Sequence, residues 1–154
     1  MVKVLMVNPE KCTGCKKCEI ACASRKTNEF DPIYSAIKVY SHDEGSVWVP
    51  IVCMQCEEAA CAKVCPVKAI TKDENGAAVI NENLCIRCKM CMRVCPFGCM
   101  SYNSDRKEML KCDLCGGNPQ CVKVCADEAI EYKEDTKTNL NRKKNIASKL
   151  KDTF

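Results

Sequence analysis

Apolar residues occur in short segments separated by polar turns, and long amphipathic runs are rare over most of the chain. Leu5–Val7 and Ala78–Ile80 are apolar and lead into polar loops, which predicts short extended strands. Two further strands are predicted to open at Ala69-Ile70 and Ala129-Ile130. The pattern also predicts three hairpins, over residues 71–80, 36–52 and 100–110, with turns near Asn75-Gly76, Asp43–Gly45 and Asn103–Asp105.

Helical patterning is confined to single turns and to the C-terminus. Pro66 and Pro96 are predicted to end one- or two-turn helices, because proline cannot continue a helix. Residues 134–154 form a basic tail in which Ile146, Ala147, Leu150 and Phe154 share one helical face. That tail is interpreted either as a solvated segment or as a helix that docks on a partner. The fold class predicted is α+β, with small strands and short helices.

Cysteine changes this picture, since it accounts for 17 of the 154 residues. All but Cys99 fall into four groups with related spacings: Cys12, Cys15, Cys18 and Cys22; Cys53, Cys56, Cys61 and Cys65; Cys85, Cys88, Cys91 and Cys95; and Cys112, Cys115, Cys121 and Cys125. The first and third groups have the spacing x2-x2-x3, and the other two lengthen the middle spacer. The groups therefore form an internal repeat.

The repeat extends beyond cysteine. "AKVCPVKAI", "MRVCPFGCM" and "VKVCADEAI" share a valine before the last cysteine of their groups. "VNPEKC" and "INENLC" share an apolar residue and an asparagine ahead of the first cysteine. One supersecondary unit used several times explains both similarities.

This spacing is typical of [4Fe–4S] binding. In the run C-x2-C-x2-C-x3-C-P, three cysteines ligate one cluster and the fourth ligates another. Four groups then supply ligands for four clusters, and the two groups of each pair exchange their fourth cysteines. Zinc is disfavoured because structural zinc uses two separated C-x2-C pairs. Disulfides are disfavoured because they need an oxidising compartment.

Charge and compartment agree with metal binding. The N-terminal segment lacks the apolar length of a signal peptide, and no run is long enough for a membrane helix, so we expect a cytoplasmic chain without a membrane span. The formal charge of +4 suggests nucleic acid at first. Sixteen thiolates and four cluster cores would bring it to about −4. The basic residues then compensate anionic clusters, and no nucleic acid partner is expected.

Two residues near the cysteine groups invite a functional interpretation. Cys99 is interpreted as a buried free thiol, because the other cysteines already form four full sets. Trp48 is interpreted as hairpin packing rather than as an electron relay.

The chain resembles the four-cluster, ferredoxin-like electron-transfer subunits of molybdenum and tungsten oxidoreductases and of related hydrogenase and formate dehydrogenase complexes. The stretches "VLMVNPEKCTGCKKCEIACA" and "VPIVCMQCEEAACAKVCPVKAI" are most similar to the iron–sulfur subunits of tungsten aldehyde oxidoreductases. The small subunits of tungsten benzoyl-CoA reductases are similar in the same way. The chain departs from the family pattern at Ala126, where proline usually follows the cysteine, and at Ala60.

The resemblance implies two nested two-cluster ferredoxin units. Residues 1–35 and 96–133 would form the outer unit, and residues 36–95 the inserted one. Carried onto this sequence, the family's ligand sets are Cys12, Cys15, Cys18 with Cys125; Cys112, Cys115, Cys121 with Cys22; Cys53, Cys56, Cys61 with Cys95; and Cys85, Cys88, Cys91 with Cys65.

The function expected is non-catalytic electron transfer between a large catalytic oxidoreductase subunit and a ferredoxin or another redox protein. The chain has ligands for clusters and no constellation for a substrate. Three alternatives stay open: an autonomous polyferredoxin, the equivalent subunit of a formate dehydrogenase, hydrogenase or benzoyl-CoA reductase complex, and a zinc-dependent nucleic-acid-binding module. Stacking of copies of the chain into longer wires is also open.

Overall fold

The computed structural model describes residues 2–135, apart from the side chain of Asp43. Within this part of the chain, eight short strands pair into four two-stranded antiparallel sheets. The strands are β1 (Lys3–Val7), β2 (Lys38–His42), β3 (Val47–Ile51), β4 (Ile70–Lys72), β5 (Ala78–Ile80), β6 (Ser101–Asn103), β7 (Glu108–Leu110) and β8 (Ile130–Glu134). The helices are α1 (Lys17–Thr27), α2 (Ala60–Lys63), α3 (Met90–Val94) and α4 (Gln120–Lys123).

Strands β1 and β8 come from opposite ends of the described chain. They pair antiparallel from Lys3 opposite Glu134 to Val7 opposite Ile130. Val4, Leu5, Met6 and Ile130 are almost completely buried there. The pairing therefore brings the first cysteine group next to the last.

The other three sheets are the hairpins that the sequence predicts. Strands β2–β3, β4–β5 and β6–β7 pair as neighbours in sequence. The carboxylate of Asp73 accepts hydrogen bonds from the N–H groups of Asn75 (2.9 Å) and Ala77 (2.8 Å), which closes the β4–β5 turn. The last turn covers residues 104–107, slightly later than predicted, because Asn103 ends β6 and its side chain caps the turn.

Helix α1 is longer than the one or two turns predicted. It spans 11 residues and ends at Asn28, which has a left-handed φ of 59°. The other helices end within two residues of the last cysteine of their groups, before Pro66, Pro96 and Ala126. Cys22 is followed by Ala23-Ser24, so no proline ends α1 there, but the absence of proline is not sufficient for a long helix, because α4 ends at Lys123 although Cys125 is followed by Ala126.

Two apolar cores carry these elements. The first contains Leu5, Leu114 and Ile130, and hairpin β2–β3 adds Ile37 and Val39. The second is built from Ile70, Ala78, Cys91, Met100 and Met109. Helix α1 packs against α4, and α2 packs against α3. Both cores contain cysteines, so the cysteine groups lie within the hydrophobic interior.

None of the helices in residues 2–135 has the length and apolar character needed to cross a membrane. The apolar face predicted for Ile146 to Phe154 lies outside the described residues.

Candidate metal centres

The first turn of every cysteine loop has the same backbone conformation. The residue directly before the second cysteine has a positive φ in all four groups, at Gly14 (72°), Gln55 (49°), Arg87 (58°) and Leu114 (54°). A left-handed residue costs about 1–2 kcal/mol unless it is glycine. Three of the four groups therefore retain a locally unfavourable conformation that turns two cysteines toward one point.

A second shared geometry follows the last cysteine in three groups. The third residue after that cysteine is again left-handed, at Lys68 (φ 51°), Gly98 (61°) and Glu128 (51°). Its N–H donates to the carbonyl oxygen of the cysteine at 3.2–3.3 Å. The next N–H donates to the cysteine Sγ, in the pairs Ala69 to Cys65 (3.3 Å), Cys99 to Cys95 (3.4 Å) and Ala129 to Cys125 (3.2 Å).

Cys22 obtains the same kind of hydrogen bond by another route. Helix α1 continues past it, so the turn found after the other last cysteines does not form here. The N–H of Ala36, which precedes β2, donates to Cys22 Sγ at 3.4 Å instead. All four last cysteines therefore accept a backbone N–H on sulfur. Such bonds favour a negatively charged sulfur over a neutral one.

Two sets of four cysteines each surround a common cavity. One cavity is lined by Cys12, Cys15, Cys18 and Cys125, together with the apolar side chains of Val39 and Pro50. The other is lined by Cys65, Cys85, Cys88 and Cys91, together with Met109. In each set, three cysteines come from one loop and the fourth from another group.

Backbone hydrogen bonds join the two parts of each set. The N–H of Asn8 donates to the carbonyl of Ala129 at 2.8 Å, and the N–H of Asn81 donates to the carbonyl of Ala69 at 2.7 Å. Each asparagine side chain also accepts the N–H two residues later, as in an Asx-turn. The sequence analysis detected this asparagine repeat without a role for it. Its role is to attach a three-cysteine loop to the turn that carries the fourth cysteine.

The remaining cysteines also approach one another across groups. Burial raises the pKa of Cys61, and the nearby Cys53 and Cys95 raise it further, against a lowering by Lys111. Burial likewise raises the pKa of Cys121, and Cys112, Cys22 and Cys115 add to the rise. Cys61 therefore lies near Cys53 and Cys95, and Cys121 lies near Cys112, Cys22 and Cys115, while Cys112 is also close to Cys53.

Cys99 occupies a distinct position beside Cys53 and Cys95. Only 5% of its surface is exposed, which agrees with the buried thiol predicted. Its Sγ donates to the carbonyl oxygen of Val52 at 3.1 Å, directly before Cys53. Its own N–H donates to Cys95 Sγ, so Cys99 hydrogen-bonds both to Cys95 and to the residue before Cys53.

The donor chemistry fits an iron–sulfur cluster. Burial raises the pKa values of Cys18 and Cys112 to about 12, so these thiols carry protons at neutral pH unless a metal displaces them. Soft thiolates in sets of four, with N–H groups directed at sulfur, suit clusters of iron and sulfide. Within residues 2–135, no three Cys, His, Asp or Glu side chains converge on a point that would hold a single metal ion.

Lys111 is a site residue that the sequence analysis missed. It directly precedes Cys112, as Lys11 directly precedes Cys12. Lys11 is exposed and pairs with Glu128, whereas Lys111 is only 5% exposed and its Nζ lies 3.4 Å from Cys53 Sγ. Both lysines directly precede the first cysteine of a group, but Lys11 follows Pro9-Glu10 whereas Lys111 follows the apolar pair Met109-Leu110, which is the local signal that could have separated them.

Family models match most of the chain. A model described as a 4Fe-4S dicluster domain matches residues 45–135, which contain the second, third and fourth cysteine groups. A model described as a 4Fe-4S binding domain matches residues 9–26, which contain the first group.

Curated relatives are subunits of redox enzymes. The chain is 38% identical over 85 residues to the polyferredoxin-like subunit of aliphatic sulfonate oxidoreductase from Pyrococcus furiosus, in a match that covers 54% of this chain and 49% of the relative. It is 35% identical over 97 residues to the B subunit of anaerobic dimethyl sulfoxide reductase from Escherichia coli, covering 54% and 46%. Formate hydrogenlyase subunit 2 of Escherichia coli is 36% identical over 90 residues, covering 58% and 43%. The chain spans about half the length of these relatives.

Solved structures share the fold over nearly the whole chain. The BamBC active-site complex of benzoyl coenzyme A reductase, as isolated, contains a chain that matches with a TM-score of 0.52 at 23% identity, over 96% of this chain and 88% of that chain. The same complex with benzoyl-CoA matches with a TM-score of 0.52 at 24% identity, over 95% and 89%.

Proposed function

The chain belongs to the family of 4Fe-4S dicluster domain proteins, and we propose that it carries four [4Fe–4S] clusters as the non-catalytic electron-transfer subunit of an oxidoreductase complex. The observation that carries this proposal is the grouping of cysteines across the repeats. Two sets of four cysteines line cavities, and each combines three cysteines of one group with one of another. Cys61 and Cys121 likewise lie near cysteines of other groups.

The proposed ligand sets follow from this grouping. Cys12, Cys15, Cys18 and Cys125 hold one cluster, and Cys65, Cys85, Cys88 and Cys91 hold another. Cys53, Cys61 and Cys95 hold the third together with Cys56, which is added from the spacing of the second group alone, and Cys22, Cys112, Cys115 and Cys121 hold the fourth. Cys99 is not a proposed ligand, and its Sγ donates a hydrogen bond to the carbonyl oxygen of Val52, next to the third set.

The chain's own groups would tune these sites. When bound, a [4Fe–4S] cluster supplies a one-electron redox centre whose potential depends on hydrogen bonds, charge and exposure. The N–H groups of Ala36, Ala69, Cys99 and Ala129 stabilise negative charge on sulfur. These four N–H groups donate to the last cysteine of each group, and that cysteine is the one proposed to bind the cluster of another group.

The nested arrangement is part of the proposal. Residues 1–35 and 96–133 form the outer unit and residues 36–95 the inserted one, with 134–154 as a tail. Pairing of β1 with β8 supports an outer unit that closes on itself. Hairpin β2–β3 packs in the core of Leu5 and Ile130, and Met100 and Met109 pack in the core of Ile70. Each unit therefore contributes side chains to the core of the other.

The partner proposed is a large catalytic subunit of the tungsten aldehyde oxidoreductase type, with a ferredoxin or another redox protein at the other end of the relay. The names of the relatives, which are subunits of oxidoreductases, support a catalytic partner. Two exposed apolar side chains in the segment after helix α1 also support one, since Phe30 is 72% and Ile33 54% exposed. A cytoplasmic location and stacked copies of the chain remain compatible with this assignment.

Anaerobic purification through a tag on this chain tests the proposal. We expect about sixteen iron and sixteen sulfide per chain, with tungsten in a large co-purifying protein. Zinc without acid-labile sulfide would overturn the cluster assignment. Molybdenum in the large protein would replace the tungsten partner with a molybdenum oxidoreductase.

One alternative has an observation in its favour, because the Pyrococcus furiosus relative is described as polyferredoxin-like. In that case the chain is an autonomous carrier. Native mass in an anaerobic extract decides between the two, since a free carrier elutes at 17.2 kDa plus its clusters and a subunit elutes in a larger complex.

A further inference from the structure

Lys111 is a buried cation at the junction between two of the proposed cluster sites. Its Nζ lies 3.4 Å from Cys53 Sγ and donates to the carbonyl oxygen of Cys112 at 3.1 Å. Cys53 belongs to the third proposed set and Cys112 to the fourth. The side chain therefore spans the boundary between the inserted and the outer unit.

Gln55 keeps the lysine in this position. It is 4% exposed, and its Oε1 lies 3.5 Å from Lys111 Nζ. The same oxygen accepts the N–H of Ala78 at 2.9 Å, and its Nε2 donates to the carbonyl of Cys112 at 3.0 Å. The Gln55 amide is therefore hydrogen-bonded to both units, to Ala78 in the inserted unit and to Cys112 in the outer one, and its oxygen faces the Lys111 ammonium.

The ammonium has no carboxylate among its direct hydrogen-bond partners, although Glu82, Glu108 and Asp113 line the same cavity. Its three acceptors are one cysteine sulfur and two uncharged oxygens. Buried lysines are rare unless an opposite charge lies nearby. Thiolates that bind clusters on both sides would supply an opposite charge within contact of the ammonium, since its Nζ lies 3.4 Å from Cys53 Sγ.

We propose that Lys111 is a shared electrostatic partner of these two clusters, which raises the reduction potentials of both. This inference rests on the proposed function. A positive charge stabilises the more negative, reduced state of a nearby cluster, and its effect is strong in a buried site. Lys111 acts on the clusters through the cysteines and carbonyls around it, so it is a positioning and tuning residue.

Redox titration of the anaerobically loaded full chain, followed by electron paramagnetic resonance, tests this role. The two junction signals are first assigned as those lost in Cys61→Ala and in Cys121→Ala. In Lys111→Met we expect both of these midpoint potentials to become more negative while the other two stay unchanged. Lys111→Arg should restore both toward wild type, because it keeps the charge.

Lys11→Met is the matched control. It removes the same charge directly before a first cysteine, but its ammonium is exposed and pairs with Glu128 at 3.4 Å. We expect it to leave the junction potentials unchanged. A shift of only one junction signal, of neither, or of all four signals equally in Lys111→Met would overturn the proposal.

Loss of clusters in Lys111→Met is also decisive. If Lys111→Arg retains the iron that Lys111→Met loses, the charge is required and the proposal stands. If both variants lose the same iron, the site needs the lysine's shape and the electrostatic role is wrong. A wild-type chain that binds fewer than four clusters contradicts the proposed function itself, before any variant is compared.

Discussion

Trp48 lies against the backbone of Gly14, so closely that a Cβ atom on Gly14 would be 2.3 Å from the Cδ2 atom of the indole ring. Gly14 belongs to the first cysteine loop and Trp48 to strand β3. The Lys16 ammonium lies 5.8 Å from the centre of the same ring. The sequence analysis interpreted Trp48 as hairpin packing, and the surface that its ring contacts is a loop that carries three cysteines. Hairpin β2–β3 therefore packs against the first cysteine loop.

Substitution of Gly14 by alanine should disrupt that loop. The new methyl group meets the ring, and the φ of +72° is unfavourable for alanine. Gly98→Ala is the matched control, because Gly98 has a φ of +61° but open space around its Cβ position. We expect Gly14→Ala to lose about a quarter of the iron. Gly98→Ala should keep all of the iron and lower the free energy of unfolding by about 1 kcal/mol.

Iron and sulfide counts, together with thermal unfolding under anaerobic conditions, measure both effects. A double variant, Gly14→Ala with Trp48→Ala, removes the ring and should recover part of the lost iron. Equal iron loss in Gly14→Ala and Gly98→Ala would show that backbone strain, and not contact with Trp48, controls the loop.

The cross-group ligand sets predict which cysteine variants share a phenotype. Cys18→Ala and Cys125→Ala should remove the same cluster signal, because both thiols line one cavity. Cys22→Ala should remove a different signal, although Cys22 lies on the same helix as Cys18. Paramagnetic resonance of the reduced proteins, with iron counts, distinguishes these outcomes. A common lesion in Cys18→Ala and Cys22→Ala, with a separate one in Cys125→Ala, would require ligand sets confined to single groups.

Cys99 should affect stability without contributing a ligand. Cys99→Ala removes the hydrogen bond to the carbonyl of Val52, and the expected cost is about 1 kcal/mol in unfolding free energy. The iron content should stay at the wild-type level, and Cys99→Ser should preserve the bond. Cys95→Ala is the comparison, because it should lose about a quarter of the iron. If Cys99→Ala loses as much iron as Cys95→Ala, Cys99 belongs to a ligand set.

Local patterns predicted the elements but not all of their lengths. The hairpins form where polar turns separate short apolar runs, since those turns depend only on neighbouring residues such as Asp73 and Asn103. Helix α1 exceeded its prediction because no proline follows Cys22 and because the N–H that binds Cys22 Sγ comes from Ala36, so no local turn has to follow this cysteine. The turn after Cys125 forms without a proline, because Glu128 accepts a left-handed φ and the N–H of Ala129 reaches the sulfur.

The sequence likewise predicts some features of the candidate site and not others. Candidate ligands are visible in the sequence because clusters need cysteines at short, repeated spacings. Burial separates Lys111 from Lys11, and the sequence indicates it only through the apolar pair that precedes Lys111. The roles of Gln55 and Asn81 depend on partners far away in sequence, at Cys112 and Ala69, so only the folded chain shows them.

The C-terminal tail leads to a prediction that rests on sequence alone. If residues 146–154 form a helix, the sequence spacing would place Ile146, Ala147, Leu150 and Phe154 on one apolar face that suits packing on a partner. Deletion of residues 138–154 should weaken binding to the large subunit by more than tenfold, which corresponds to about 1.4 kcal/mol. Iron content should stay unchanged, because every proposed ligand precedes the deletion. Affinity is measured anaerobically with the purified large subunit.

Two single variants separate apolar docking from simple charge attraction. Leu150→Ser removes a side chain from the apolar face, whereas Lys149→Ser removes a charge next to it. If the tail docks through that face, Leu150→Ser should reproduce most of the loss seen on deletion, and Lys149→Ser should have a small effect that added salt also produces. A larger loss in Lys149→Ser would mean that the tail acts through its basic charge. Unchanged affinity after deletion would make it a solvated segment.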